Sequence, residues 1–257
     1  MSNFIGGGHA SSAKRLLSRS GRLPTMAAAL RGERSMVTLI NNCCFIIDTP
    51  AAAFLVDPFI SKKLLNNLEY NYVLISHGHI DHCLHIDAIQ CPIISNAEVA
   101  KRPEDIVLGN NPANIEDLTI FTLKTRHPRG FQNNFIYDYT YSLIGNRRLM
   151  RCGDSYGFIL KYGNHSIYYS GDDILDRNKL FSIRKTYSLD LALISFQRFD
   201  WGMLNLLSPI RDVFKVEDNL GCPVLPVHLY NKWYLEHREI YFYQGVKILN
   251  VRNCDPS

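Results

Sequence analysis

The segment Leu74–Asp87, LISHGHIDHCLHID, puts four histidines and two aspartates into fourteen residues of a chain with nine histidines in all. Within it, His77, Gly78, His79, Ile80, Asp81 and His82 form the pattern H-x-H-x-D-H. Imidazole nitrogens mixed with carboxylate oxygens suit zinc, manganese or iron. Side chains of an extended loop alternate with period two, so His77 and His79 point the same way. Asp81 and His82 then fall at a helix start and address a second point in space. The segment can therefore serve two adjacent metal positions, and Gly78 allows the tight backbone path between them.

A local cluster cannot complete two coordination shells. Three further candidates stand at equivalent places: His127 after TIFTLKT, Asp172 after SIYYSG and His228 after CPVLPV. Each follows an expected strand, and loops at one sheet edge are where a rigid scaffold presents reactive groups. Taken singly, a histidine or aspartate at a strand end is usually a turn or capping residue. Taken as an ordered set with the cluster, they predict a metal site.

The elements that must position these groups alternate between strand and helix from Met36 onward. CCFIID and AFLVD read as short strands around the turn TPAA. YNYVLIS, LDLALIS and CPVLPVH read as buried strands, nearly continuous in apolar residues, as where both faces are covered. CPIIS and DLTIFTLKT are further strands, and HIDAI is one or two helical turns. NAEVAKR reads as a short helix capped by Asn96. YGFILKY and HSIYYS, joined by Gly163-Asn164, form a hairpin. SPIRDVFKVEDNL reads as a helix with Ser208 as cap and Pro209 in its first turn. Residues 127–155 are loop-like and aromatic, with a strand expected around Tyr139–Leu143.

The order H-x-H-x-D-H, His, Asp, His closely resembles the metallo-β-lactamase-fold hydrolase superfamily. FLVDPFIS, IYYSGDD and LDLALISF followed by CPVLPVHLYNKW are similar to one branch of it, the L-ascorbate 6-phosphate lactonase-like hydrolases, over about residues 36–250. The resemblance implies an α/β (α+β) fold, a four-layer αββα sandwich. It implies two divalent ions, zinc or manganese, one held by His77, His79 and His127. The other would be held by Asp81, His82 and His228, with Asp172 bridging and Asp57 orienting a ligand from behind. FQNNFIYDYTYSLIGNRRLMRCGD and SFQRFDWGMLNLLSP depart from the segments expected to hold a sugar phosphate.

Two such ions present a hydroxide between them and polarise the electrophile's oxygen, so no nucleophilic side chain is needed. No G-x-S-x-G elbow is present, and Cys83, beside His82, reads as packing. Asp81 can both ligate and accept the proton of the attacking water. Arg129, two residues past His127, is the preferred anchor for a phosphate or carboxylate. Tyr230 and Trp233 could wall the pocket. Further arginines and Lys232 flank the ligand positions. His85 reads as a surface or supporting group.

The expected function is a metal-dependent hydrolase acting through a metal-bridged hydroxide on a small ester, lactone or phosphoester, phosphorylated by preference. Two alternatives stand beside it: a phosphodiesterase acting on lipid or nucleic acid, and a non-catalytic scaffold or assembly factor retaining the fold. The expected partner is a small-molecule substrate, with self-association as a homo-oligomer left open.

Composition bounds these readings. At 257 residues, 46% hydrophobic and 20% charged, the chain is long enough for a substantial core. No apolar run is long enough to form a transmembrane segment. The formal charge of +4 is uneven. Residues 1–35 carry six basic side chains against Glu33, leaving 22 basic against 23 acidic residues from Met36 onward. A nearly neutral body is a poor footprint for long nucleic acid. The chain accordingly divides into a basic leader, 1–35, disordered or targeting, and a hydrolase-like domain, 36–257. Seven scattered cysteines, two of them the adjacent Cys43 and Cys44, suggest reduced thiols and the cytoplasm. The Arg- and Ser-rich leader gives a mitochondrial or other organellar presequence as the alternative.

Overall fold

The computed structural model describes residues 37–41, 43–125, 154–173, 175–195, 209–228 and 246–248. The leader, residues 127–153 of the 127–155 loop, Ser208 and the tail beyond His228, apart from 246–248, lie outside the described residues.

Two sheets face each other. The first runs β13-β1-β2-β3-β4-β5-β6, comprising β1 (Val37–Asn41), β2 (Cys44–Asp48), β3 (Ala53–Val56), β4 (Tyr72–Leu74), β5 (Ile93–Ser95), β6 (Ile106–Val107) and β13 (Val246–Ile248). The second runs β12-β11-β10-β9-β8-β7, comprising β7 (Ala113–Ile115), β8 (Leu118–Lys124), β9 (Tyr156–Tyr162), β10 (His165–Tyr169), β11 (Leu191–Ser195) and β12 (Val224–Val227). Period-two alternation explains why both faces of each sheet are covered. In β2, Phe45 and Ile47 enter the core between the sheets, while Cys44 and Ile46 face outward. In β10, Ile167 and Tyr169 point inward and Tyr168 outward.

The outer face of the first sheet is covered by α1 (Lys62–Asn67), α2 (Ile80–Cys83) and a 3-10 turn at Ile86–Ala88, through Leu65, Cys83 and Ile86. That of the second is covered by α3 (Arg177–Thr186) and α4 (Pro209–Leu220), through Leu180, Ile183 and Leu220. The layers are therefore αββα. Burying Phe45, Phe54, Phe158 or Tyr169 fully contributes about 1.5–3 kcal/mol each. Phe45 meets Tyr169 edge to face at 5.0 Å, which ties the sheets together and fixes the Tyr169 ring. No helix among the described residues is long and apolar enough to cross a membrane.

Two expectations are corrected. NAEVAKR forms turns and no helix. The Asn96 carboxamide does accept from Glu98 N and Val99 N, but Pro103 and the Arg102–Asp105 turn follow too soon for the helix to propagate. YNYVLIS contributes only Tyr72–Leu74 to its strand. The hairpin Tyr156–Tyr162 and His165–Tyr169 turns at Gly163-Asn164, as the sequence predicts.

Strand direction sets where loops emerge. β3 and β4 run parallel, as do β10, β11 and β12. Asp57 and Ser76–His77 therefore leave the first sheet at one rim, and Ser170–Asp172 and His228 leave the second together. Tyr156 N donates to Ser76 O at 3.1 Å and joins the two rims. Gly171 sits at this crossing with φ +52°, where an added Cβ would lie 2.6 Å from the Tyr156 carbonyl oxygen. Only glycine lets the chain pass there into Asp172.

Candidate metal centre

Asp57 is the hub beneath the rim. It is fully buried, and its backbone is left-handed at φ +43°. Such a conformation costs a non-glycine residue about 1–3 kcal/mol unless its surroundings impose it. Here Asp57 N donates to Leu74 O at 3.0 Å, and the carboxylate gathers four donors. Ser76 N reaches Oδ1 at 2.7 Å. Ser76 Oγ, His82 Nδ1 and Tyr169 Oη reach Oδ2 at 2.7, 2.7 and 2.6 Å.

This network assigns the histidine tautomers. A carboxylate only accepts, so the proton of neutral His82 belongs on Nδ1 and the lone pair on Nε2. Ser76 gives its hydroxyl proton to Asp57 and so accepts from His77 Nδ1 at 3.0 Å, which leaves the His77 lone pair on Nε2. One buried acid thus orients two imidazoles, the usual device for preparing metal ligands.

Both Nε2 atoms face the rim. His77 Nε2 meets His79 Nδ1 at 2.9 Å and lies 3.8 Å from Asp172 Oδ2. His82 Nε2 lies 3.3 Å from Asp172 Oδ2 and 3.9 Å from Asp81 Oδ2. His228, left-handed at φ +63°, brings its Nε2 to 3.2 Å from Asp81 Oδ2. Two donor groups result: His77–His79–Asp172 and Asp81–His82–Asp172–His228. Within each, ligand atoms lie within 4.8 Å of one another, and Asp172 belongs to both.

The residues fit divalent ions. His82 Nε2 and His228 Nε2 are buried and approach carboxylates at 3.3 and 3.2 Å without a well-formed hydrogen bond, an expensive arrangement for polar atoms unless something else satisfies them. The electrostatics ask for positive charge. Burial alone would raise the Asp81 carboxyl, but His82 and His228 hold it well below the usual carboxylate range. Burial alone would lower His228, yet Asp81 and its neighbours push it up to about 10, and Asp172 with the acids around it likewise raises His82. Protons on imidazole here balance the charge that cations would balance.

Six of the seven expected ligands, His77, His79, Asp81, His82, Asp172 and His228, converge at this rim; His127 lies outside the described residues. So do Arg129, Tyr230, Trp233 and Lys232. Asp57 lies behind His82, in contact with its Nδ1. His85 precedes the 3-10 turn Ile86–Ala88 as its N-cap and is half-buried. Three participants escape the sequence reading: Ser76, Tyr169 and Cys43. Ser76 stands within the quoted segment, and Tyr169 opens the YSGD run, but nothing local distinguishes either. Cys43, buried at the β1–β2 turn, forms a third group with His82 and His228, again within 4.8 Å.

A family model for a beta-lactamase superfamily domain matches residues 36–194. A UPF0173 metal-dependent hydrolase of Methylacidiphilum infernorum is 30% identical over 167 residues, 60% of this chain and 69% of that one. A UPF0173 metal-dependent hydrolase of Flavobacterium johnsoniae is 24% identical over 213 residues, 78% of this chain and 87% of its own. Among solved structures, Igni18, a metallo hydrolase of Ignicoccus hospitalis, superposes with a TM-score of 0.55 at 16% identity. That match covers 85% of this chain and 95% of the other, a likeness of fold.

Proposed function

The chain belongs to the beta-lactamase superfamily, and we propose that it is a metal-dependent hydrolase with a two-ion centre at this rim. The observation that carries the reading is the pair of donor groups sharing Asp172, each lined by imidazoles of which two are locked by Asp57. His77, His79 and Asp172 would hold one ion, joined by His127; Asp81, His82, His228 and Asp172 would hold the other. When bound, such ions supply Lewis acidity and a water acidic enough to attack at neutral pH.

The chain's own residues do the rest. Asp57, through His82 Nδ1 and Ser76, fixes the tautomer in which the Nε2 lone pairs of the neutral rings are aimed at the rim. The dry floor around Asp57 and Tyr169 strengthens the electrostatics above it. Asp81 is the most exposed acid of the group, its side chain at 31%, and is held ionised by His82 and His228. It is therefore the group to receive the proton of the attacking water. The substrate is a small ester, lactone or phosphoester, phosphorylated by preference, with Arg129 as anion anchor and Tyr230 and Trp233 as walls. The likeness of FLVDPFIS, IYYSGDD and CPVLPVHLYNKW to the ascorbate-6-phosphate lactonase-like branch supports this class. The compartment in this reading is the cytoplasm, or an organelle reached through the leader.

Elemental analysis of the purified protein tests the centre. About two metal equivalents are expected, falling sharply in His79→Ala. Turnover of bis-p-nitrophenyl phosphate or of a phosphorylated lactone is expected in the parent and not in the variant. Bound metal with no turnover across a broad ester panel would replace the hydrolase reading with that of a scaffold.

A further inference from the structure

We propose that Cys43 is a sulfur ligand of the ion held by Asp81, His82 and His228, and that this centre therefore selects zinc over manganese. The inference rests on the two-ion reading above and specifies the metal for one half of it.

Cys43 occupies the turn between β1 and β2, beside the register shift at Leu39/Asn41. Cys44 packs outward with Ile46 under the helices, whereas Cys43 joins none of the three apolar clusters. It is fully buried, and its sulfur lies near backbone oxygens and imidazoles. Sγ donates to Asp81 O at 3.0 Å and lies 3.8 Å from Asp57 O, so the thiol sits against the backbone of two acids of the site. Its sulfur and a ring nitrogen from each of His82 and His228 lie within 4.8 Å of one another. Both imidazoles carry a buried Nε2 without a well-formed hydrogen bond.

A buried thiol confined to packing would be expected among apolar side chains, like Cys44 and Cys83. Cys43 instead completes a triangle of soft and borderline donors whose other corners, His82 and His228, turn Nε2 toward the carboxylates of Asp172 and Asp81. Zinc–sulfur and zinc–nitrogen bonds of about 2.3 and 2.0–2.1 Å are compatible with donors spaced this closely. On coordination the S–H bond breaks, its proton leaves to solvent, and a sulfur–metal bond replaces the weak S–H···O contact to Asp81. Thiolate favours zinc and cobalt, while manganese prefers oxygen. The His77–His79 group has no sulfur within reach among the described residues, so the two positions differ in softness.

The test is to load the metal-free full chain with cobalt(II) and record its absorption. The parent should show an intense near-ultraviolet thiolate-to-cobalt band. Cys43→Ser and Cys43→Ala should lose it, Cys83→Ala should keep it, and the preference for zinc over manganese should fall at least about tenfold without the thiol. Cobalt bound with no such band, or a band removed by Cys83→Ala, overturns the role of Cys43 and leaves the metallohydrolase reading standing. No cobalt retained overturns both. If neither Cys43 variant folds, the parent spectrum alone decides.

Discussion

Asp57 and Asp105 are both carboxylates shut away from solvent, and both gather donors from the chain around them, yet they do opposite things. The Asp105 side chain, 1% exposed, accepts from Ile93 N, Lys101 N and Arg102 N and pairs with the Arg102 guanidinium at 2.7 Å. Arg102 in turn donates to Ile89 O and Cys91 O. Charge and hydrogen-bonding capacity are matched within the cluster, which clasps the β5–β6 connection and asks for nothing more. Among the described residues no guanidinium or ammonium pairs with Asp57. Its neutral donors pass order upward to His77 and His82, and two further acids, Asp81 and Asp172, meet imidazoles whose outward nitrogens make no well-formed hydrogen bond. A saturated buried cluster is architecture. One with surplus negative charge and aimed lone pairs is a receptor for cations.

Four substitutions probe that contrast, in descending order of effect. Asp172→Asn removes the carboxylate common to both donor groups. Hydrolysis and metal content should fall by more than the roughly 10–100-fold that loss of an outer partner costs, measured by turnover and elemental analysis. Asp57→Asn keeps shape but loses the charge that fixes the imidazoles. Chelator competition should give metal affinity lower by about 10–100-fold while the ligands remain in place.

Asp105→Asn should leave metal content unchanged and destabilise the fold by about 1–3 kcal/mol in urea unfolding. If it emptied the site, the separation drawn between the two clusters would be wrong. Its pH signature has a definite sign. Burial raises the Asp105 carboxyl, but Arg102 and the backbone amides override this and hold it below its ordinary value. Its stabilisation is therefore present above the unfolded carboxylate pKa and lost as pH falls through the folded one. The variant should lose less stability than the parent between neutral and acid pH. Tyr169→Phe, removing one of four donors to Asp57, should cost about 1 kcal/mol and leave the metal stoichiometry as it was.

Much of this is written locally. The H-x-H-x-D-H spacing carries two donor directions by itself, because a loop of period two leads into a helical turn. The nearly continuous apolar residues of CCFIID and YGFILKY declare strands whose two faces are covered, and Gly163-Asn164 declares the turn between β9 and β10. Where the local signal is weak, as at Asn96, a cap is satisfied by a turn as readily as by a helix, and neighbouring Pro103 decides.

What the chain order could not supply is convergence. Asp57, Ser76, Asp172 and His228 share a rim only because β3 runs parallel to β4 and β10 parallel to β11 and β12, pairings set by the burial of whole sheet faces. Cys43 and Tyr169 carry no spacing signal at all. The β1–β2 turn and the Phe45 contact bring them within reach of residues far along the chain. Spacing fixes the direction in which neighbours point, whereas only the registry of distant strands fixes which of those directions meet.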